Sequence, residues 1–264
     1  MTEALWYIER APDAAIAPWV LSFWSFQSDE VPADLPPYTV WPDGCTSICV
    51  IRAPEIRDAL GIVGPRYTGH SRSVSSHWRV WGFRLWPDTT ATLTGISPRA
   101  LRDLIGPPPD AIQRRFSTLA SSLPQSDDAD VIFPAMARWL ARALADAPAP
   151  DPRIRAAVRA IVAAKGEVKM SDVARESALS VRQLQRLFPD ATGLTLREYA
   201  RVRRLREALA HRIAAQPPGW SRIAAETGYT DHAHLTREFV ALLGFAPSAA
   251  ARQLMRTGHQ DVVP

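Results

Sequence analysis

The sequence predicts an α+β chain in two domains: a mostly β amino-terminal one, and an all-α carboxy-terminal one with two copies of a two-helix unit around a long helix. Three observations predict it. Short β-branched and aromatic runs, punctuated by Pro and Gly, fill roughly the first 120 positions. A frame of helical spacing, A-x9-L-x-R-x-F-x4-G, occurs twice near the end of the chain, at an offset of 51 residues. The charge divides at the same place: residues 1–150 hold 13 Lys and Arg against 16 Asp and Glu, whereas residues 151–264 hold 18 against 11. A basic half that is also the repeated half suits a polyanionic partner.

In the first domain, residues 1–126, Pro42-Asp43-Gly44 reads as a turn. Strands are expected at Thr46–Arg52, Leu60–Val63 and Arg79–Leu85, the last with Trp81, Phe83 and Leu85 alternating against Gly82 and Arg84. Pro98–Ile105 is expected as a short helix, stopped by Gly106 and the prolines at 107–109. Seven of the nine tryptophans (Trp6, Trp19, Trp24, Trp41, Trp78, Trp81, Trp86) lie in this first third. Most fill a core, but two or three suffice to line a pocket for a hydrophobic or aromatic effector, with Trp41, Trp78 and Trp81 as candidates.

Cys45 and Cys49 are the only cysteines. Four positions apart on a strand places them about 13 Å apart, too far for one metal or one disulfide. Buried structural thiols are the expectation. Residues 1–120 contain only His70 and His77, without an H-x-H and glutamate arrangement, so neither a metal nor a cofactor is expected.

Residues 127–152 join the domains. Asp127–Asp146 reads as an amphipathic helix with Ile132, Met136, Trp139, Leu140 and Leu144 on one side, covering either its own domain or a second copy of the chain. Ala147–Pro152 is a stiff linker, with Asp151 as N-cap and Pro152 opening a helix that runs from Arg153 to Lys165 and ends at Gly166.

The first copy of the repeat spans Ser171–Gly193. Ser180 and Gln183 form an S-x-x-Q capping box, from which Arg182, Gln185 and Arg186 project outward. Thr195–Ile213 opens with a T-x-x-E box and carries Leu196, Tyr199, Val202, Leu205 and Leu209 on one face. As one helix it spans about 25–28 Å, enough to hold two helices about one DNA turn apart. Pro217, Pro218 and Gly219 break it. In the second copy, Ser221–Ser248, Gly228 ends one helix, Thr230 or Asp231 caps the next, and Leu235, Phe239, Leu242 and Leu243 form the buried stripe opposite Ala233, His234 and Arg237.

The stretches LSVRQLQRLFPDATGLTLREYARVRRL and IAAETGYTDHAHLTREFVALLGFAPS resemble the AraC/XylS-type transcriptional regulators of bacteria, over roughly residues 152–256. The resemblance implies a DNA-binding domain at 153–256 of two helix-turn-helix units, followed by a tail at 257–264. Base or backbone contacts would come from Arg182, Gln185 and Arg186 in the first unit and from His232, Ala233, His234 and Arg237 in the second. Ser180, Gln183, Thr230 and Thr236, beside them, complete the expected DNA-binding set.

The expected function is sequence-specific transcriptional regulation, with a sensor-like first domain. Expected partners are double-stranded DNA at two adjacent major-groove segments, a small hydrophobic or aromatic effector, RNA polymerase and a second copy of the chain. Since His232, Ala233 and His234 offer fewer strong donors, the first unit should carry most of the discrimination, with Arg237 on phosphate. No catalysis is expected. The competing classes are a DNA-repair methyltransferase using a reactive cysteine and an architectural DNA binder without sequence choice. With no run of 18 apolar residues and an acidic amino terminus, the expected location is the cytoplasm, with no membrane contact.

Overall fold

The computed structural model describes residues 5–213, 217–256 and 259–260. Among the described residues nine strands precede and flank the helical half: β1 (Leu5–Arg10), β2 (Val20–Ser28), β3 (Tyr38–Val40), β4 (Ser47–Ala53), β5 (Ile56–Val63), β6 (His70–Arg72), β7 (Arg79–Leu85), β8 (Ile105–Gly106) and β9 (His259–Gln260). Seven form one sheet in the order β8-β5-β4-β7-β2-β1-β9, and β3 pairs with β6 as a separate ribbon. Every pairing in the large sheet is antiparallel except β1 with β9. Of the tail expected at 257–264, only the two residues of β9 lie within the described ones.

Strand β7 has the bounds that its alternation predicts, and β4 is displaced by one residue from its expected span. Strand β5 begins four residues earlier than expected. The expected helix at Pro98–Ile105 is not formed. Pro98–Leu101 makes a single 3-10 turn capped by Ser97, Asp103 takes φ +62°, and the chain then joins β5 as β8. A bond from Asp103 N to Pro65 O (3.1 Å) draws this segment onto the sheet edge, so tertiary pairing outweighs a weak local helix signal.

One face of the sheet carries Phe23, Ile48, Val50, Trp81, Phe83 and Leu85, all buried. It is covered by α1 (Thr90–Thr94), α2 (Asp110–Arg115), α3 (Ser117–Ser122) and α4 (Ala129–Ala143). Helix α4 starts at Asp128, whose carboxylate accepts from Asp130 N, and buries Ile132, Met136 and Leu140; Phe133 stacks on Phe23 at 5.6 Å. The apolar stripe of α4 therefore packs on its own sheet.

The remaining helices are α5 (Pro152–Ala163), α6 (Met170–Glu176), α7 (Val181–Thr192), α8 (Leu196–Ile213), α9 (Trp220–Glu226), α10 (His232–Leu243) and α11 (Pro247–Arg256). Asp151 caps α5 with Pro at its first turn, as the sequence suggests. Two cores sit along α8. Leu196, Tyr199 and Val202 pack with Leu184, Phe188, Ile154 and Ile161, whereas Leu205, Ala208 and Leu209 pack with Ile223, Leu235, Phe239 and Ala250. Both cores take residues from the β half. Leu21, Cys45 and Trp86 belong to the first, and Trp41 and Tyr67 lie against the second. Gly44, at φ +70°, sits so close to Tyr199 that a Cβ there would lie 2.7 Å from the ring. No described helix is long and apolar enough to cross a membrane.

Candidate nucleic-acid interface and cavity

Helix α7 begins with the expected capping box: Ser180 Oγ accepts from Gln183 N at 3.2 Å, and Gln183 Oε1 accepts from Ser180 N at 2.9 Å. It ends at Gly193 in the left-handed region, φ +83°. Leu184 and Phe188 anchor one side, which turns Arg182, Gln185 and Arg186 to solvent. None of the three has a hydrogen-bond partner among the described residues. Ser180 and the Gln183 carbonyl are committed to the cap and position the helix.

In the second unit Asp231, not Thr230, is the cap: its carboxylate accepts from His234 N at 2.6 Å, and α10 closes at Gly244, φ +83°. His234 turns back on the helix start. Its Nδ1 accepts from Thr230 N at 3.3 Å, and its ring meets Tyr229 edge-on at 5.4 Å. His232, Ala233 and Arg237 are exposed, Thr230 is exposed beside the cap, and Thr236 is half-buried. The outward face of α10 therefore presents one permanent cation and one imidazole.

The two units are fixed to α8 and to the β half by charged contacts that sequence reasoning did not single out. Arg201 holds Glu238 of α10 through two bonds of 2.7 and 2.8 Å. Arg102, beyond the 3-10 turn, holds Glu198 at the start of α8 through bonds of 3.1 and 2.9 Å, and Arg99 pairs with Asp190 of α7 at 3.0 Å. On the other side, Trp41 meets Phe245 edge-on at 6.0 Å.

Against the second face of the sheet lies a partly open cavity of about 150 Å³. Trp24, Phe26, Ile51 and Val80 line it from the sheet, Val40 and Trp41 from β3 and the residue after it, and Arg206 and Leu209 from α8. Trp41 and Trp78 are in its wall. Trp81 is not among its lining residues; it points to the opposite face and is fully buried in the core between the sheet and α1–α4. Alternation along β7 decides this, since Val80 and Arg84 line the cavity while Trp81, Phe83 and Leu85 pack under the helices. Gly82 leaves room for the Trp24 ring, which would lie 2.5 Å from a Cβ.

A buried polar cluster closes one end. Arg84 donates to Glu9 at 2.7 Å and to Tyr7 Oη at 3.2 Å, and its Nε lies 2.5 Å from Asp43; Tyr7 also donates to Glu9. Burial opposes the charge on Glu9, but Arg84, Arg206 and the hydrogen bonds outweigh it and hold the carboxyl below the usual range. Arg72 adds a further cation in the wall, its guanidinium 5.3 Å from the Trp78 ring centre. The only sequence signal for this cluster was Arg84 among apolar neighbours on a strand.

Both cysteines are buried. Cys45 lies in the core shared with α8, its thiol pushed up by burial and by Asp43. Cys49 faces the cavity, its thiol pushed up to about 12 by burial.

Residues 173–253 match a family described as a helix-turn-helix domain, and residues 8–106 match a domain of unknown function, DUF6597. No curated protein matches the sequence. Among solved structures, an apo variant of ToxT from Vibrio cholerae shares 12% identity and a TM-score of 0.50, covering 93% of this chain and 100% of that one. Another ToxT structure from Vibrio cholerae, at 1.65 Å, gives 10% identity and a TM-score of 0.47 over 87% and 97% of the two chains. Wild-type ToxT bound to an unsaturated fatty acid gives 12% and 0.43 over 98% and 96%. The first of these likenesses shows a shared two-domain fold. With the capped paired units, the match over residues 173–253 shows that the chain carries an AraC-type helix-turn-helix domain at its carboxy terminus.

Proposed function

We propose that the chain regulates transcription by sequence-specific binding to two adjacent major-groove segments, under the control of a small, largely apolar effector in the first domain. The observation that carries the DNA reading is the pair of capped helices on one linker helix, each with an anchored stripe inside and polar side chains outside. Arg182 and Arg186 suit guanine edges or phosphates and Gln185 suits adenine, each good bidentate contact being worth about 1–3 kcal/mol of discrimination. On α10, Arg237 suits phosphate, and His232 is the remaining polar group aimed outward. His234 and Thr230 act on the helix start, and Ser180 and Gln183 do the same in the first unit.

The cavity supports the effector reading. About 150 Å³ of mainly apolar space holds a body the size of benzene, so a single aromatic ring or a branched chain of similar bulk fits. Trp41, Trp78 and Trp24 supply ring contacts. Because Arg206 and Leu209 of the linker helix share the wall, an occupant touches the element that carries both units.

Selection of bound duplexes by the full chain, followed by competition with unrelated DNA, tests the DNA reading. A specificity ratio of about 10³ or more is expected. A ratio near one would instead favour the architectural binder. Benzoate and benzyl alcohol serve as ring-sized probes of the cavity: quenching of tryptophan fluorescence and a rise in Tm support the effector reading, and neither change at millimolar probe refutes it for ring-sized compounds.

A further inference from the structure

Arg204 stands on α8 where the two cores meet, since Val202 belongs to the first and Leu205 to the second. Its guanidinium donates from Nη2 to Gly166 O at 3.0 Å and from Nη1 to Gly228 O at 3.3 Å. Gly166 ends α5 ahead of the first unit, and Gly228 is the turn between α9 and α10 in the second. Both glycines are left-handed, at φ +80° and +71°, which aims their carbonyls away from the helix axis toward α8.

The turns are pressed into place. A Cβ at Gly166 would lie 2.2 Å from Ala200 O, and one at Gly228 would lie 2.7 Å from the Glu167 carboxyl, so the turn of the second unit lies directly against the segment that leads from α5 into the first. The same guanidinium lies 5.7 Å from the Tyr229 ring centre, next to the second turn. Planar guanidinium geometry lets one side chain hold two carbonyls in fixed directions, which an ammonium cannot do equally well.

We propose that Arg204 is a positioning residue that sets the register between the two units and thereby the spacing of the half-sites the protein accepts. This rests on the DNA reading proposed above. Each added base pair moves a half-site by about 3.4 Å and turns it by about 35°, so units held in fixed register cannot follow. Among the described residues no hydrogen bond or ion pair joins Arg204 to Arg182, Gln185, Arg186, His232 or Arg237. Its effect is on where the second unit stands relative to the first.

Two measurements test it. In the first, duplexes carrying the selected site receive one extra base pair between the half-sites. The wild type should bind them at least about tenfold more weakly than the parent site, and Arg204→Ala no more than about threefold more weakly than it binds its own best site. Arg204→Lys should fall between them. A duplex with the first half-site alone should bind wild type and Arg204→Ala equally, which shows that the first unit is folded.

In the second, spin labels at Glu176→Cys and Val240→Cys report the distance between units without DNA, the native cysteines being buried. A narrow distribution is expected for wild type and a broad one for Arg204→Ala. If Arg204→Ala keeps both the narrow distribution and the full insertion penalty, the proposal is overturned. If the wild type selects no duplex, the DNA reading fails, and the label distances still decide whether Arg204 fixes the register.

Discussion

The amide of Gly69, in the β half of the chain, donates a 2.7 Å hydrogen bond to the carbonyl of Leu242, in the last turn of α10. Helix α10 of the second unit is therefore tied by its backbone to a loop that also carries Arg66 into the cavity wall. Tyr67, between them, lies under the Arg201 guanidinium at 5.1 Å. Between the cavity wall at Arg66 and the bond from Gly69 to the second unit lie two residues, Tyr67 and Thr68.

Trp41→Ala removes a ring that both lines the cavity and meets Phe245. A loss of about 1–2 kcal/mol is expected for a half-buried aromatic, less than the 3–5 seen for full burial. At about 2–4 °C per kcal/mol for a chain of this size, Tm should fall by roughly 2–8 °C. Thermal unfolding followed by circular dichroism checks it. An unchanged Tm would mean that this contact does not hold the β half against the second unit.

Arg186→Ala and Arg182→Ala should each weaken binding to the selected duplex by about 1–3 kcal/mol and relax preference at one or two base pairs. Arg237→Ala should weaken binding evenly across sequences and reduce the salt slope by about one. Anisotropy titrations at several salt concentrations, with each half-site varied in turn, separate the two behaviours. Greater losses from changes in the second half-site than in the first would reverse the assigned order.

The Glu9 carboxyl is held below its ordinary value, because the pull of Arg84, Arg206 and its hydrogen bonds exceeds the opposing effect of burial. A carboxyl depressed in this way contributes stability that is present above its unfolded pKa, about 4.3, and lost as pH falls through the folded value. Glu9→Gln breaks the buried pair with Arg84 and should cost about 3–5 kcal/mol at pH 7. The variant should also lose less stability than wild type between pH 5 and 3, as read by urea titrations across that range. Parallel acid limbs in the two proteins would show that Glu9 does not carry this dependence.

Burial raises both thiols, so little thiolate exists at neutral pH. Iodoacetamide should leave Cys45 and Cys49 unmodified in the folded chain at pH 7.5 and alkylate both in guanidinium chloride. Intact mass after incubation with methylated DNA should show no adduct. A methyl group on either cysteine would bring back the repair enzyme.

The sequence by itself determined the parts whose causes are local. The capping box at Ser180 and Gln183, the left-handed closures at Gly193 and Gly244, the proline start of α5 and the apolar stripe of α8 all depend on neighbours within about four residues. The repeat at a fixed offset then made the paired units legible, and with them the helix-turn-helix domain. Strand β7 was legible because its alternation survives, whereas β1 and β2 were not anticipated, their polar positions being covered by the Arg84 cluster and the cavity rather than by water.

Only the tertiary structure decided which face each residue serves. Alternation put Trp81 and Arg84 on opposite faces of β7, but it could not say that one face meets helices and the other a cavity, so Trp81 was read as a pocket residue. Likewise, the stripe of α4 required a partner without naming it, and the packed sheet supplied one. The shared cores did the most to change the expected picture. Leu21, Cys45 and Trp86 complete the first core along α8 and Trp41 and Tyr67 flank the second, contacts between residues far apart along the chain. Such contacts depend on shape and burial across the assembled fold, and no periodicity along the chain encodes them.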